Sequence, residues 1–441
     1  MTQQKVIIEE ASGQQLRLKV DGVEQLVAQN QAVLQQILEK LNVQTFQVAD
    51  KIYNIKSIDQ ATFGFVMDKS KAQHQLPTGL REELFTKEED TIWVQSLRQA
   101  LLYEGVAVGQ EPFEIFQHFG WLVEVFLLKV ISSEGRQRTL SRLAYLVEVF
   151  QSSLRYLCFV QLAQPLAKVR PLSPHLDRFF RLTEAEVTAL DWSHLLLQTT
   201  AEIAAADSFV PELYPLREDI LNNRDEIADV LQFMERQRTR LLRGDIPKDD
   251  HLDQLLDEYL TALVTWLRRI AFVAKYRIVS IKDIKLAYRL GSGKRFVHHY
   301  GELHGHFEQV YSQNYQLKEV AIKDSFTYNH SVLLFKGTDI GQAMERLAQQ
   351  ENYLSLTPFI IDYSVFKQTE THTPDIRYYA GKEESAYRYH EVGLELNINS
   401  EEQARVHKKI RVSRQNIRQP GLDELHRQLT QLIRSEKAAK A

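Results

Sequence analysis

The stretch WLVEVFLLKVI, residues 121–131, is the most apolar run of this 441-residue chain and gives the first indication of its fold class. Only Glu124 and Lys129 interrupt it, and its length falls short of the roughly twenty residues that a membrane span needs. Apolar residues recur at helical spacing over 90–103, 112–132 and 138–163. The sequence therefore predicts a buried helix inside a long helical region, and no membrane segment.

Composition and charge place the chain among ordinary globular proteins. It has 58 acidic and 54 basic side chains, a formal net charge of −4 and a hydrophobic fraction of 44%. A chain with this balance is not expected to coat nucleic acid, although a local basic patch remains compatible with it. Cys158 is the only cysteine, which excludes internal disulfides and fits a reducing compartment. With no signal-peptide pattern at the N-terminus, we expect a cytoplasmic protein.

The pattern of apolar residues divides the chain into several predicted domains. Predicted strands at Val6–Ile8 and Leu16–Val20, followed by a helix with apolar positions from Val23 to Leu41, indicate a small α/β module. The expected order is an α/β interaction module at 1–67, a linker at 68–80, a helical domain at 81–276, an α+β or mostly β domain at 277–400, and a basic segment with a tail helix at 401–441. The predicted fold class is multi-domain and predominantly α.

A basic motif ends one of the predicted helices. Residues 238–244 read Arg-Thr-Arg-Leu-Leu-Arg-Gly. This resembles the R-N-x-x-x-H-G signature of HEPN-type helical domains, a family that includes many RNA-cleaving toxins. The resemblance implies a HEPN-like central helical bundle over 174–276, in which Arg238 and the residue at 243 would face a phosphate in one cleft. Thr239 stands where the family has Asn, and Arg243 stands where it has His.

These two departures bear on catalysis. Arginine stays protonated at neutral pH and cannot accept the proton of a 2′-hydroxyl. The sequence therefore predicts no catalytic residue in a degenerate motif made of Arg238, Thr239 and Arg243. Two alternatives stay open: an active ribonuclease in which His251 replaces the missing histidine, and a plain basic helix end stabilised by the helix dipole.

The N-terminal segment carries a second resemblance. Residues 51–55, Lys-Ile-Tyr-Asn-Ile, and the following Ile58-Asp59-Gln60-Ala61 are similar to small effector-associated modules of bacterial conflict systems. Such modules pair with copies of themselves and bring an effector to a sensor. The resemblance implies a protein partner, such as an effector encoded nearby, and a homo-oligomer. The alternative is a small α/β cap without a recruiting role.

Other segments suggest binding chemistry. A run with no acidic residue is a candidate site for RNA or DNA phosphates, although a solvated interaction surface is an alternative; its basic residues include Arg405, Lys408, Lys409, Arg411 and Arg414. Gly291-Ser292-Gly293-Lys294 lacks the first glycine and the final Ser or Thr of a phosphate-binding loop. The histidines at 298–306 have no metal-ligand spacing typical of zinc sites. The sequence predicts neither a cofactor nor a metal.

Together these features favour a non-catalytic scaffold, adaptor or sensor component of a bacterial antiphage defence or conflict system, acting through protein–protein contacts. The alternatives are a HEPN-type RNA endonuclease and a nucleic-acid-binding protein. Whether the chain is an enzyme stays open at this stage.

Overall fold

The computed structural model describes much of the chain, with gaps. The described residues are 6–12, 15–20, 23–28, 45–48, 51–54, 59, 61–62, 65–66, 89–167, 179–289, 293–303, 317–322, 331–337, 339–345, 352–366, 374–384, 386–392, 410–413, 422–423, 425–426 and 429–430.

The N-terminal segment forms a mixed five-stranded sheet, sheet A, in the order β3-β2-β1-β4-β5. Its strands are β1 Val6–Ser12, β2 Gln15–Val20, β3 Val23–Ala28, β4 Thr45–Val48 and β5 Lys51–Asn54. Neighbouring strands are antiparallel, except that β1 and β4 are parallel. The predicted hairpin of β1 and β2 is confirmed, with Val6 opposite Val20.

The predicted helix that begins at Val23 is wrong over its first six residues, which form β3. Val23 pairs with Val20, so only Asp21 and Gly22 separate the two strands. An Asp-Gly pair between apolar segments favours a two-residue hairpin, and this local signal outweighed the helical spacing of the apolar residues. The remainder of that predicted helix lies outside the described residues.

Most of the described residues between 89 and 269 are helical. The helices are α1 Glu89–Tyr103, α2 Pro112–Phe116, α3 Trp121–Val130, α4 Leu140–Ala167, α5 Glu184–Thr188, α6 Trp192–Glu202, α7 Leu213–Leu221, α8 Ile227–Leu242 and α9 Asp249–Arg269. The predicted buried helix at 121–131 is confirmed as α3. A capping box of Thr183 and Glu186 begins α5, and each side chain accepts from the other residue's backbone amide.

One helix has the length and hydropathy of a membrane span. Its apolar window, within Leu140–Pro165, is 100% buried inside the protein. The central helix of a soluble protein has this same composition, because it is surrounded by other elements on every side. The described residues are thus consistent with a soluble protein.

The C-terminal part contains two antiparallel sheets. Sheet B has the order β10-β9-β6-β7-β8, and sheet C has the order β11-β12-β13-β14. The elements are β6 Tyr276–Arg289, β7 Gly293–Glu302, β8 Lys318–Ile322, β9 Val332–Lys336, α10 Ile340–Glu345, β10 Tyr353–Ser355, β11 Ile360–Asp362, β12 Ile376–Glu383, β13 Ala386–Glu391 and β14 Ile410–Val412. One face of sheet B contributes Ile278 and Val332 to the main core, and the other packs against Ile340 and Met344 of α10.

The predicted fold class, predominantly α around a central HEPN-like bundle, is wrong. A single hydrophobic cluster contains Leu97 and Tyr259 of the helices together with Tyr378 of sheet C and Leu425 near the C-terminus. Helix α4 packs on α3, α6 and α9 but also on β10, and α5 packs on β12. The helices and antiparallel sheets therefore share one α+β core. An apolar face in the sequence of a helix predicts that this face is buried against another element. It does not predict whether that element is a helix or a sheet.

Sheet C approaches the helices closely at Gly381. This residue has φ +127°, and a Cβ built on it would lie 2.7 Å from the backbone nitrogen of Glu184. The amide of Lys382 donates to the carbonyl of Leu182 at 2.7 Å, and the hydroxyl of Tyr379 donates to the carbonyl of Phe180 at 3.1 Å. Glycine is needed here because only it combines this φ with this contact distance.

Candidate functional site

Arg238, the first residue of the HEPN-like motif, is buried between helices. Its relative exposure is 1%, and one guanidinium nitrogen lies 3.1 Å from a carboxylate oxygen of Glu235. A second nitrogen donates to the backbone carbonyl of Thr188, at the end of α5. Gln151 of α4 donates to the other carboxylate oxygen of Glu235 at 3.3 Å. Arg238 thus links α8 to α5, and through Glu235 to α4.

The structure does not bring the other motif residues to Arg238. Arg243 caps the C-terminal end of α8 and is exposed, while Thr239 is half-buried. His251, the alternative acid–base group, is exposed in the first turn of α9. Arg238 is buried, whereas Arg243 and His251 are exposed. These three side chains do not converge, so in this conformation they cannot act together on one phosphate.

Of the basic residues in the run predicted to contact nucleic acid, only Arg411 is among the described residues. Arg405, Lys408, Lys409 and Arg414 lie outside the described residues. Arg411 is exposed on β14, where it is opposite Arg388 of β13. The histidines at 304 and 306 also lie outside the described residues. Within the described part of the chain, no group of three or more acidic, His or Cys side chains could hold a metal ion.

A buried ionic network that the sequence did not reveal links sheets B and C. It is formed by Ser280, Lys282, Asp362 and Ser364, and we call it the inter-sheet network. The ammonium of Lys282 donates to Asp362 and, at 2.9 Å, to the hydroxyl of Ser364. The hydroxyl of Ser280 donates to the same carboxylate at 2.7 Å. Asp362 is 1% exposed, so its charge is fully withdrawn from water.

Lys282 is the extra residue of a β-bulge in β6. Ile281 pairs with Tyr300 and Asp283 pairs with His299, so no residue of β7 is opposite Lys282. Side chains alternate along a strand, so Ser280 and Lys282, two residues apart, point to the same side and reach the same carboxylate. The other carboxylate oxygen of Asp362 accepts from the amides of Ser364 and Asp375, at 3.1 and 3.0 Å.

The electrostatics of the pair favour two opposite charges. Burial raises the pKa of Asp362, but the ammonium of Lys282 and the hydrogen bonds from Ser364 and Ser280 outweigh it, so the pKa lies below its usual value. Burial lowers the pKa of Lys282, and Asp362 opposes that shift without cancelling it. The network is closed to solvent and its donors and acceptors satisfy one another, so its role is to hold the two sheets together.

The described residues also form a surface pocket, which we call the junction pocket. It has a volume of about 490 Å³ and is lined by residues 104–107, 275–276 and 336–337. These segments are the chain that follows α1, the beginning of β6 and the end of β9. The pocket therefore lies where the helices meet sheet B. Its volume is within the range of small-ligand and peptide side-chain sites.

The charged residues that line the junction pocket are Glu104, Lys275 and Lys336. The Lys275 ammonium lies 2.6 Å from Glu104 and 3.3 Å from Glu212, and the hydrogen bond with Glu104 is the main cause of its raised pKa. Lys336 lies over the ring of Phe209, with 4.7 Å between its ammonium and the ring centroid. Lys336 is exposed and, among the described residues, has no ion pair with a carboxylate. It is therefore available to an acidic group of a partner.

Apolar residues at the end of α1 extend this surface. Tyr103 is 90% exposed and Leu102 is 39% exposed, and they immediately precede the first lining residue, Glu104. Most large apolar side chains of the described chain are buried, so an aromatic ring this exposed beside a pocket is unusual.

Comparison with known proteins gives no assignment. No protein-family model matches the chain, and no curated protein or solved structure matches it significantly. The functional interpretation of the junction pocket therefore rests on its own residues and on the resemblances in the sequence.

Proposed function

We propose that this protein is a non-catalytic scaffold or sensor component of a bacterial antiphage defence or conflict system, and that it works in the cytoplasm through protein–protein contacts. The observation that carries the proposal is the exposed Tyr103 with Leu102 beside the junction pocket. Tyrosine is enriched at protein interfaces because its ring buries a large area at a small entropic cost while its hydroxyl remains hydrated.

The chemistry of the pocket supports a protein partner. Tyr103 and Leu102 supply apolar area, and the ammonium of Lys336 supplies a positive charge at the pocket wall. An aromatic anchor beside a charge that orients the partner is a common arrangement of an interface centre. The placement of the partner in a defence system rests on the resemblance of residues 51–61 to effector-associated modules and of the 238–244 motif to HEPN sequences.

The direct test uses purified proteins encoded by the flanking genes. The tagged full-length protein is expected to bind one of them, and Tyr103→Ala is expected to weaken that binding about tenfold or more, as loss of a central aromatic anchor does. Ile246→Ala is the matched control, because Ile246 is also an exposed large apolar residue, at 47%, in the turn after α8. Equal loss in both variants, or no loss in either, would contradict the assignment of the surface.

A second assay tests the defence role and the absence of catalysis. Cells carrying the gene with its neighbours are expected to resist phage, and Tyr103→Ala is expected to remove the resistance while Ile246→Ala retains it. The pure protein is expected to leave RNA intact and its expression alone to leave growth unchanged. Cleavage of RNA by the pure wild-type protein would replace the scaffold proposal with the ribonuclease alternative.

A further inference from the structure

The distal part of the β6–β7 hairpin is a two-stranded ribbon. Strand β9 pairs with β6 only over Tyr276–Ser280, and β8 pairs with β7 only over Phe296–Tyr300. Towards the tip, residues 287–289 of β6 pair with 293–295 of β7, and no other described strand pairs with them. We call residues 285–289 and 293–297 the basic ribbon; at its base, Phe296 and Val297 of β7 also pair with Ile322 and Ala321 of β8.

The charge of this ribbon is entirely positive. Residues 284–297 contain two lysines and two arginines and no acidic residue, although the whole chain has a net charge of −4. Lys285, Lys294 and Arg295 are exposed. Lys285 lies 3.6 Å from Asp283, but both side chains are more than 40% exposed, so water weakens that pair. Lys294 and Arg295 have no ion pair with a described carboxylate.

The pairing register sorts the ribbon into two faces. In an antiparallel pair, residues directly opposite each other lie on the same face. Lys285 and Ala287 are opposite Val297 and Arg295, so Lys285 and Arg295 share one face. The other face places Leu286, which is 59% exposed, opposite Phe296. Lys294 is also on this second face.

We propose that the basic ribbon binds B-form DNA duplex. Its cations complement the phosphate backbone, and a two-stranded antiparallel ribbon fits the major groove of B-form DNA. An A-form RNA helix has a deep and narrow major groove that does not admit such an element. The ribbon shares no residue with the junction pocket or with the HEPN-like motif. It adds a nucleic-acid contact to the proposed scaffold and does not depend on it.

The salt dependence of binding follows from the number of charges. Each phosphate that is neutralised contributes about −0.9 to the slope of log affinity against log salt concentration. Three to four phosphate contacts therefore give a slope of about −3. So few contacts imply weak binding, which suits a sensor that also requires a second partner. A slope near zero would be inconsistent with phosphate contacts by this ribbon.

The experiment is fluorescence anisotropy of a labelled 20-base-pair DNA duplex titrated with the full-length protein at about 50 and 200 mM salt. The triple variant Lys285→Ala/Lys294→Ala/Arg295→Ala is expected to bind at least about tenfold more weakly at 50 mM salt. The control, Arg136→Ala/Lys248→Ala/Arg268→Ala, removes the same charge from exposed positions outside the ribbon and is expected to bind as the wild type does. Lys294→Gln/Arg295→Gln, which retains side-chain length, gives an independent second variant.

Several results would overturn the proposal. They are absence of duplex binding by the wild type at 50 mM salt, equal losses in the ribbon and control variants, and binding to an RNA duplex or to single-stranded DNA that is as tight as binding to the DNA duplex. Circular dichroism confirms that each variant is folded before the titration. Preferential DNA-duplex binding that only the ribbon variants weaken supports the assignment, whether or not a protein partner is found at the junction pocket.

Discussion

Sheet C makes two kinds of junction, one apolar and one ionic. Against the helices it forms an aromatic junction, in which the ring of Phe180 stacks on Phe359 at 5.3 Å and meets Tyr379 edge-on at 5.5 Å. Against sheet B it forms the inter-sheet network, in which Lys282 and Asp362 are buried as a pair. The stability of the aromatic junction depends on the side-chain volume that fills it. The stability of the inter-sheet network depends on the presence of both Lys282 and Asp362.

This difference predicts that substitutions in the two junctions lower the free energy of unfolding by different amounts. Apolar packing loses free energy roughly in proportion to the volume removed, so a conservative change is tolerated. A buried ion pair loses much more when one partner is removed, because the remaining charge is left without water or a counter-charge. Replacement of both partners by apolar residues avoids that penalty.

The largest effect is expected for Asp362→Ala. It leaves the Lys282 ammonium buried without its carboxylate, and we expect the free energy of unfolding to fall by about 3–5 kcal/mol. The double variant Lys282→Met/Asp362→Leu removes both charges and is expected to recover most of that loss. Urea unfolding of the three proteins measures both values. A double variant as unstable as Asp362→Ala would show that the charges themselves, and not only their pairing, stabilise the contact.

Gly381→Ala is expected to cost about 2–3 kcal/mol, since it adds a Cβ against the backbone of Glu184 at a φ unfavourable to L-residues. Gly337→Ala is the matched control, because Gly337 also has a positive φ, +92°, but its added Cβ meets nothing within 4 Å. We expect the control to lose about 1 kcal/mol, the cost of the backbone conformation alone. Thermal melts that rank the two variants equally would show that the close approach of β12 to α5 is not constraining.

A conservative change in the aromatic junction is expected to have a smaller effect. Phe180→Leu retains most of the side-chain volume and all of its apolar character, so we expect a loss of about 1 kcal/mol in the free energy of unfolding. Urea unfolding provides the measurement. A loss above about 3 kcal/mol would equal the loss expected when the Lys282–Asp362 pair is broken. The two junctions would then not differ in their tolerance of substitution.

The smallest effect concerns pH, at a contact between the helices and sheet B. Burial, with the nearby charge of Arg277, lowers the pKa of His118 to about 4. The Arg277 guanidinium lies 2.7 Å from Nδ1 of His118, which must accept because arginine only donates. With the folded pKa below the unfolded one of about 6.5, the contribution to stability is complete above that value and is lost as the pH falls towards about 4.

Melting temperatures between pH 7 and 4 test this expectation. His118→Gln keeps an acceptor but cannot gain a proton, so its stability should decline less over this interval than that of the wild type. His251→Gln is the control, because His251 is exposed and has no such contact. A decline of the same size in the His118 variant would assign the acid sensitivity to other groups.

Local patterns in the sequence predicted the elements better than their arrangement. The buried helix α3 and the pairing of β1 with β2 were predicted, because each depends on residues that are close together in the sequence. The shared core was missed, since an apolar face does not specify its partner. The Lys282–Asp362 pair was missed because eighty residues separate its members and no local pattern marks it.

The candidate sites follow the same rule. The HEPN-like motif suggested that Arg238 faces a cleft, whereas the helix turns it into a contact with Glu235. Burial of an arginine cannot be inferred from its neighbours in sequence when its partners, such as the carbonyl of Thr188, lie fifty residues away. The junction pocket combines three distant segments and could not have been predicted. The charge of the basic ribbon was readable at 284–297, but not its isolation from other strands.

The bulge at Lys282 also preserves the phase of the hairpin. Side chains alternate between the two sides of a strand with a period of two, so an extra residue in a regular ladder would move every later side chain to the other side. The bulge absorbs this residue, since Ile281 and Asp283 are opposite consecutive residues of β7, Tyr300 and His299. Deletion of Lys282 would therefore remove an ammonium from the core and leave Lys285 opposite Val297, on the face that it has now. The core thus holds a lysine without any change in the direction of the outermost charges of the hairpin.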